Sequence, residues 1–192
     1  MNNTHVCPFA DPDNALAADL DTVGGKGLSL ASMTAAGFPV PAGFTVTTAA
    51  YRQFVAEQHL QQTILDLAKP ELVGTAVSFD SASERIQALF AKSDLSDALK
   101  AQIAEAYAAL GAGEPPVAVR SSANAEDLPD LSFAGQQDTY LNIRGRDALF
   151  EAVRDCWASL WTARALNYRH EHAIAQEAVA IQVVVQVMVE LY

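Results

Sequence analysis

The segment Ala178 to Val189, AVAIQVVVQVMV, sets the tightest limit on what this chain can fold into. It is apolar and β-branched almost throughout, and it is interrupted only by Gln182 and Gln186. It is too short for the roughly 20 residues of a membrane-spanning helix. A run of this kind predicts a central strand, here Glu177 to Val189, covered on both faces. Gln182 and Gln186 have the same parity and so point to one face. An amide buried in such a strand must find a partner, and the adenine or ribose of a nucleotide is one candidate. If the chain ends naturally after this strand, Val183, Val185 and Val187 need cover from another chain or by self-association, so oligomers or dependence on a partner are expected.

A second stretch, Pro116 to Tyr140, reads PVAVRSSANAEDLPDLSFAGQQDTY. Val117-Ala118-Val119 predicts a short buried strand, and Arg120, Ser121 and Ser122 follow at its end. A loop rich in Ala, Asp, Pro and Ser comes next, closed by Gly135, and a strand is expected over Thr139 to Ile143. A guanidinium offers five donors in a rigid fork, and hydroxyls and loop N–H groups add to it, so this strand end is a candidate anion grip. The alternative is an Arg paired with Glu126 or Asp127 across a surface loop.

A third stretch, VGGKGLSLASMTAAGFPVPAGFTVTT, begins at Val23. Gly24 and Gly25 admit backbone conformations closed to other residues. Lys26 follows, and Gly27 to Ala36 predicts a helix with Leu28, Leu30 or Ala31, and Met33 towards the core. Gly37, Pro39 and Pro41 stop it. A glycine turn with a lysine feeding a helix is a phosphate-site pattern, although the Walker spacing is absent. A tight turn with a solvated Lys26 is the alternative. Phe44 to Val46 predicts a strand, and Thr47 or Thr48 a cap for a helix from Ala49 to about Gln58.

The net charge of −11, from 12 Lys and Arg against 23 Asp and Glu, argues against a nucleic-acid surface. An acidic chain that holds a polyanion must gather its few cations, and Mg²⁺ commonly joins them. Cys7 and Cys156 have no metal-type spacing, and their scarcity suits a reducing cytoplasm. The first residues show no secretory pattern.

Residues 1–15 read as an irregular lead-in, and 16–192 as one lobe in which residues 60–112 are helical. Within that helical part Asp80 or Ser81 caps a helix to Lys92, and Leu95 to Leu110 follows. Arg146 to about Trp157 and Ser159 to about His170 predict further helices, with Trp157 and Trp161 in the core. His170 and His172, at an exposed helix end, are not read as metal ligands. The fold class is α/β or α+β, with a mixed sheet among helices.

The second and third stretches together resemble the N-terminal ATP-binding (PEP/pyruvate-binding) domain of the phosphoenolpyruvate synthase and pyruvate phosphate dikinase family. CWASLWTARALNYR and AIQVVVQVMV extend the likeness, and GQQDTYLNI and CWASLWTARALNYR are similar also to rifampicin phosphotransferase. The resemblance implies an ATP-grasp-like lobe. Enzymes of this kind split ATP to AMP and pass the β-phosphoryl to a histidine on a separate domain, then to pyruvate or another acceptor. Lys26 and Arg120 would bind ATP phosphates, with Gly24, Gly25, Ser121 and Ser122 in support. Gly135 and Thr139 would lie by the phosphate loop and Gln186 by the nucleoside. Asn124 stands where Thr is common. None of His5, His59, His170 and His172 sits in a phosphohistidine-like motif. The second ATP-grasp half with its Mg²⁺ ligands, the phosphohistidine domain and the acceptor domain are expected on the rest of a parent enzyme or on a partner subunit, so the 192 residues alone are expected to be inactive; a non-catalytic nucleotide-binding or partner-docking module is the alternative.

Overall fold

The computed structural model describes residues 4–10, 19–123 and 139–189. A five-stranded sheet organises them: β1 (Val6–Pro8), β2 (Gly43–Val46), β5 (Val117–Ala123), β6 (Thr139–Ile143) and β7 (Ile181–Val187), in the order β1-β2-β7-β5-β6. Every pairing in it is antiparallel, where a mixed sheet was expected. The apolar segment at the end of the chain therefore becomes the middle strand, shorter than predicted because Gln176–Ala178 form a 3-10 turn first. Both edges of β7 are paired, with β2 and with β5. The expected need for Val183, Val185 and Val187 to find cover through self-association falls away for that reason.

One face of the sheet is apolar. Phe44 and Val46, Val117 and Val119, and Ile181, Val183 and Val185 are buried there in a single cluster. Helices α2 (Thr48–Glu57) and α6 (Arg146–Ser159) supply Tyr51, Phe54, Val153 and Trp157 to it. Trp157 and Trp161 are both fully enclosed, as their helical spacing predicts. Around this layer pack α4 (Asp80–Lys92), α5 (Asp97–Ala108) and α7 (Ala163–Glu171). Asp80 opens α4 but does not cap it, since the cap position is Phe79. Thr47 caps α2 by position only, because its hydroxyl donates to the carbonyl of Thr4 instead.

Residues 60–112 are not helical throughout. Between α3 (Gln61–Leu67) and α4 lies a hairpin of β3 (Glu71–Val73) and β4 (Ala76–Ser78), turned at Gly74 with φ 65°. Leu72, Val73 and Val77 stay exposed on it.

The other face of the sheet is the polar one, and α1 (Leu20–Ala35) crosses it. Asp19 caps α1, its carboxylate accepting from the Asp21 N–H and the Thr22 hydroxyl. The helix starts earlier than the expected Gly27 and is broken at Gly24, where φ is 71° and ψ 169°. Its buried positions are Val23, Gly24 and Gly27. Met33, expected in the core, is 40% exposed.

Candidate nucleotide site

Register fixes which residues share the polar face. Across an antiparallel ladder, directly paired residues project to the same side. Thr45 pairs with Val184, Val184 with Arg120 and Arg120 with Thr139, so these residues form one row across β2, β7, β5 and β6. On one side of that row Ser122 pairs with Gln182; on the other, Gly43 and Ala118 flank Gln186. Gln186 lies four positions along β7 from Gln182, roughly 13 Å at about 3.3 Å per residue.

The placement of α1 over this face can be read from its glycines. A Cβ at Gly24 would stand 2.5 Å from the Ser122 Oγ and 2.7 Å from the Gln182 Oε1. A Cβ at Gly27 would stand 2.7 Å from the Thr45 Oγ1. The helix thus runs from the Ser122–Gln182 pair towards β2. It lies over β5, β7 and β2 and leaves Arg120 on β5 and Thr139 on β6 exposed.

Lys26 closes the gap between helix and strand. Its Nζ donates to the Ser121 carbonyl oxygen at 2.9 Å, which places the ammonium beside the residue next to Arg120. Both cations therefore stand on one sheet face, at the uncovered border of α1. Arg120 makes no ion pair with any described residue. Its alternative partners, Glu126 and Asp127, lie outside the described residues, as does Gly135.

Several expected donors are placed differently. Ser121 and Ser122 are 1% and 0% exposed, so neither hydroxyl faces the open surface of the expected anion grip. Alternation turns the Ser121 side chain to the apolar face, and what Ser121 offers Lys26 is its carbonyl. The Ser122 hydroxyl lies under Gly24 and has no hydrogen-bond partner among the described residues. Gly24 forms a break within the helix, with Gly25 next to it, rather than a loop before it. Gln182 is fully buried and its Nε2 donates 3.2 Å to the Asp21 carbonyl, so it is a strut and not a surface for adenine or ribose. Gln186 is half-buried and donates to the Pro41 carbonyl at 3.3 Å. Pro41 and Gly43 beside it also line an apolar cavity of about 270 Å³ shared with Phe9, Phe44 and Leu110.

Sequence reasoning missed Thr45 and Asp21. Thr45 belongs to the Arg120 row, and the Asp21 carbonyl also accepts the Thr48 hydroxyl at 3.0 Å. The alternation of GFTV could have indicated Thr45; no local pattern indicates a backbone acceptor. Among the described residues no group of three or more His, Cys, Asp or Glu could hold a metal ion.

The family profile of the pyruvate phosphate dikinase AMP/ATP-binding domain matches residues 20–192. The phosphoenolpyruvate synthase of Aeropyrum pernix is 47% identical over 175 residues, which cover 88% of this chain and 21% of that protein. That of Pyrococcus furiosus is 38% identical over 207 residues, covering 89% and 25%. That of Synechocystis is 41% identical over 183 residues, covering 89% and 22%. The chain thus spans about a fifth to a quarter of the length of these relatives. A match over almost all of the described residues, including both cation-bearing segments and the central strand, makes this chain a member of the pyruvate phosphate dikinase AMP/ATP-binding domain family.

Proposed function

We propose that this domain holds ATP for a dikinase-type phosphotransferase of the phosphoenolpyruvate synthase kind. The observation that carries the reading is the junction of α1 with β5. There the Lys26 ammonium and the Arg120 guanidinium share one border of the polar face, in a molecule otherwise dominated by carboxylates. In this reading both cations bind the triphosphate, Thr139 and Gly135 flank it, and Gln186 lies at the nucleoside end.

The chemistry follows the resemblance and the relatives' names. The β-phosphoryl passes to a histidine on another part of the parent enzyme and then to the enol oxygen of pyruvate, the γ-phosphoryl goes to water, and AMP is left. Phosphoryl transfer needs chiefly positioning and charge neutralisation, which is what this chain's own residues supply. Mg²⁺, when bound, neutralises further charge on the phosphates. Pyruvate is preferred to an antibiotic acceptor because the relatives are phosphoenolpyruvate synthases. A reducing cytoplasm suits Cys7 and Cys156, both buried thiols.

Removing either cation tests the reading. A hydrogen bond to a charged group contributes about 1.5–3 kcal/mol, so Lys26→Ala and Arg120→Ala should each weaken Mg-ATP binding by about tenfold or more in calorimetric titration. Unchanged affinity in both variants would leave a purely structural domain.

A further inference from the structure

We propose that Gln182 is a positioning residue for Lys26: it fixes the break in α1 from which the lysine projects, without touching nucleotide. The proposal rests on the nucleotide reading above.

Gln182 lies within the central strand and is fully buried. An apolar side chain would fill that position without desolvating an amide, a cost that hydrogen bonding must offset. What the amide adds is direction. Its Nε2 holds the carbonyl of Asp21, and the hydroxyl of Thr48 at the start of α2 holds the same oxygen. The first turn of α1, Leu20 to Val23, is thereby clamped from the sheet and from α2 at once. Gly24 follows, with φ 71°, resting on the Gln182 and Ser122 side chains so closely that no Cβ fits. These two residues are cross-strand partners, and together they floor the break. Two residues further on, Lys26 reaches the carbonyl of Ser121, the neighbour of Ser122 in β5. Clamp, floor and anchor thus converge on one short length of β5 and β7. Loosening the clamp lets the break slide on its floor and carries the lysine with it. A misplacement of about 1 Å in a positioning group can cost much of its effect.

A double-mutant cycle on Mg-ATP affinity tests this. Gln182→Met keeps the volume and removes the hydrogen bond. In the otherwise unchanged chain it should weaken Mg-ATP binding by about three- to tenfold, and in the Lys26→Ala background by less than about twofold. A role in general stability would cost the same in both backgrounds. Thr48→Val, which removes the other donor to the Asp21 carbonyl, should act in the same direction by about two- to fivefold, and it carries the test if Gln182→Met does not fold. Solution NMR of the Lys26 ammonium without nucleotide supplies an independent readout: its signal should shift in Gln182→Met and in Thr48→Val. Equal losses in both backgrounds, or an unmoved ammonium signal, overturn the proposal. If Lys26→Ala itself leaves affinity unchanged while the ammonium signal still moves, the nucleotide reading fails and the positioning of Lys26 by Gln182 stands.

Discussion

A methyl group at position 24 would meet two obstacles, one of backbone and one of space. Gly24 has φ 71° and ψ 169°, a region essentially confined to glycine that costs an L-residue roughly 1–3 kcal/mol, and its missing Cβ would press on the Ser122 and Gln182 side chains. Gly37 has φ 80° with nothing within 4 Å of where a Cβ would stand. The two positions therefore separate strain from crowding. Gly37→Ala should cost about 1 kcal/mol. Gly24→Ala should cost roughly 2–4 kcal/mol, because crowding against a well-packed floor adds to the backbone strain. Urea unfolding of both variants measures this, and equal costs would mean that the floor under Gly24 yields freely. The sequence announces both glycines alike; only the neighbours tell them apart.

At the scale of elements, α2 and α7 meet through a buried polar contact that their hydrophobic patterns do not announce. The Trp161 Nε1 donates to the Tyr51 hydroxyl at 3.1 Å, and the Arg169 guanidinium lies 5.1 Å over the Trp161 ring. Arg169 donates to the Gln176 side chain and to the Leu160 carbonyl. Burial pushes the Tyr51 pKa up to about 12 and pulls that of Arg169 down to about 10. The two act with opposite sign. Tyr51 holds its proton more tightly in the folded chain, so its contribution is full below the unfolded value of 10.0 and is lost as the pH rises through about 12. The burial of the Arg169 cation opposes folding below about pH 10, and that opposition fades as the pH rises above it. Wild-type stability should therefore change little across this window on account of the pair. Tyr51→Phe, which keeps only the second contribution, should gain roughly 2–3 kcal/mol relative to wild type between about pH 10 and pH 12. Guanidinium unfolding at the two pH values reads the difference, and a constant offset would show that Tyr51 is not shielded. The hairpin of β3 and β4 is the opposite kind of element. Its apolar side chains are exposed, so replacing Leu72, Val73 and Val77 by Thr should leave stability within about 0.5 kcal/mol. A larger loss would mean that the hairpin supports the fold.

At the scale of the whole molecule, the described residues of an acidic chain form one wall of the candidate site. Arg120 and Thr139 stand on an uncovered face, where charges act through water and are screened by salt. The 192 residues by themselves should therefore bind Mg-ATP more weakly than about 1 µM. The affinity should fall further as ionic strength rises from about 0.01 M to about 1 M, over which the Debye length shrinks from about 30 Å to about 3 Å. Calorimetry across that range checks both statements, and sub-micromolar, salt-insensitive binding would mean that this face is enclosed.

The sequence by itself determined what depends on neighbours along the chain. The period and composition of local segments placed β6 at Thr139–Ile143, began α6 at Arg146 and ended α4 at Lys92. Two long motifs indicated the family that the profile match established. What the tertiary structure decided depends on contacts between distant residues. The last strand became the middle of the sheet, the serines of the expected grip turned inward, and Gln182 reached the Asp21 carbonyl 161 residues away. Local pattern records which face a side chain takes, not which neighbour the fold sets opposite it. The meeting of Lys26 with β5 is fixed only when α1 is laid across strands that come much later in the chain.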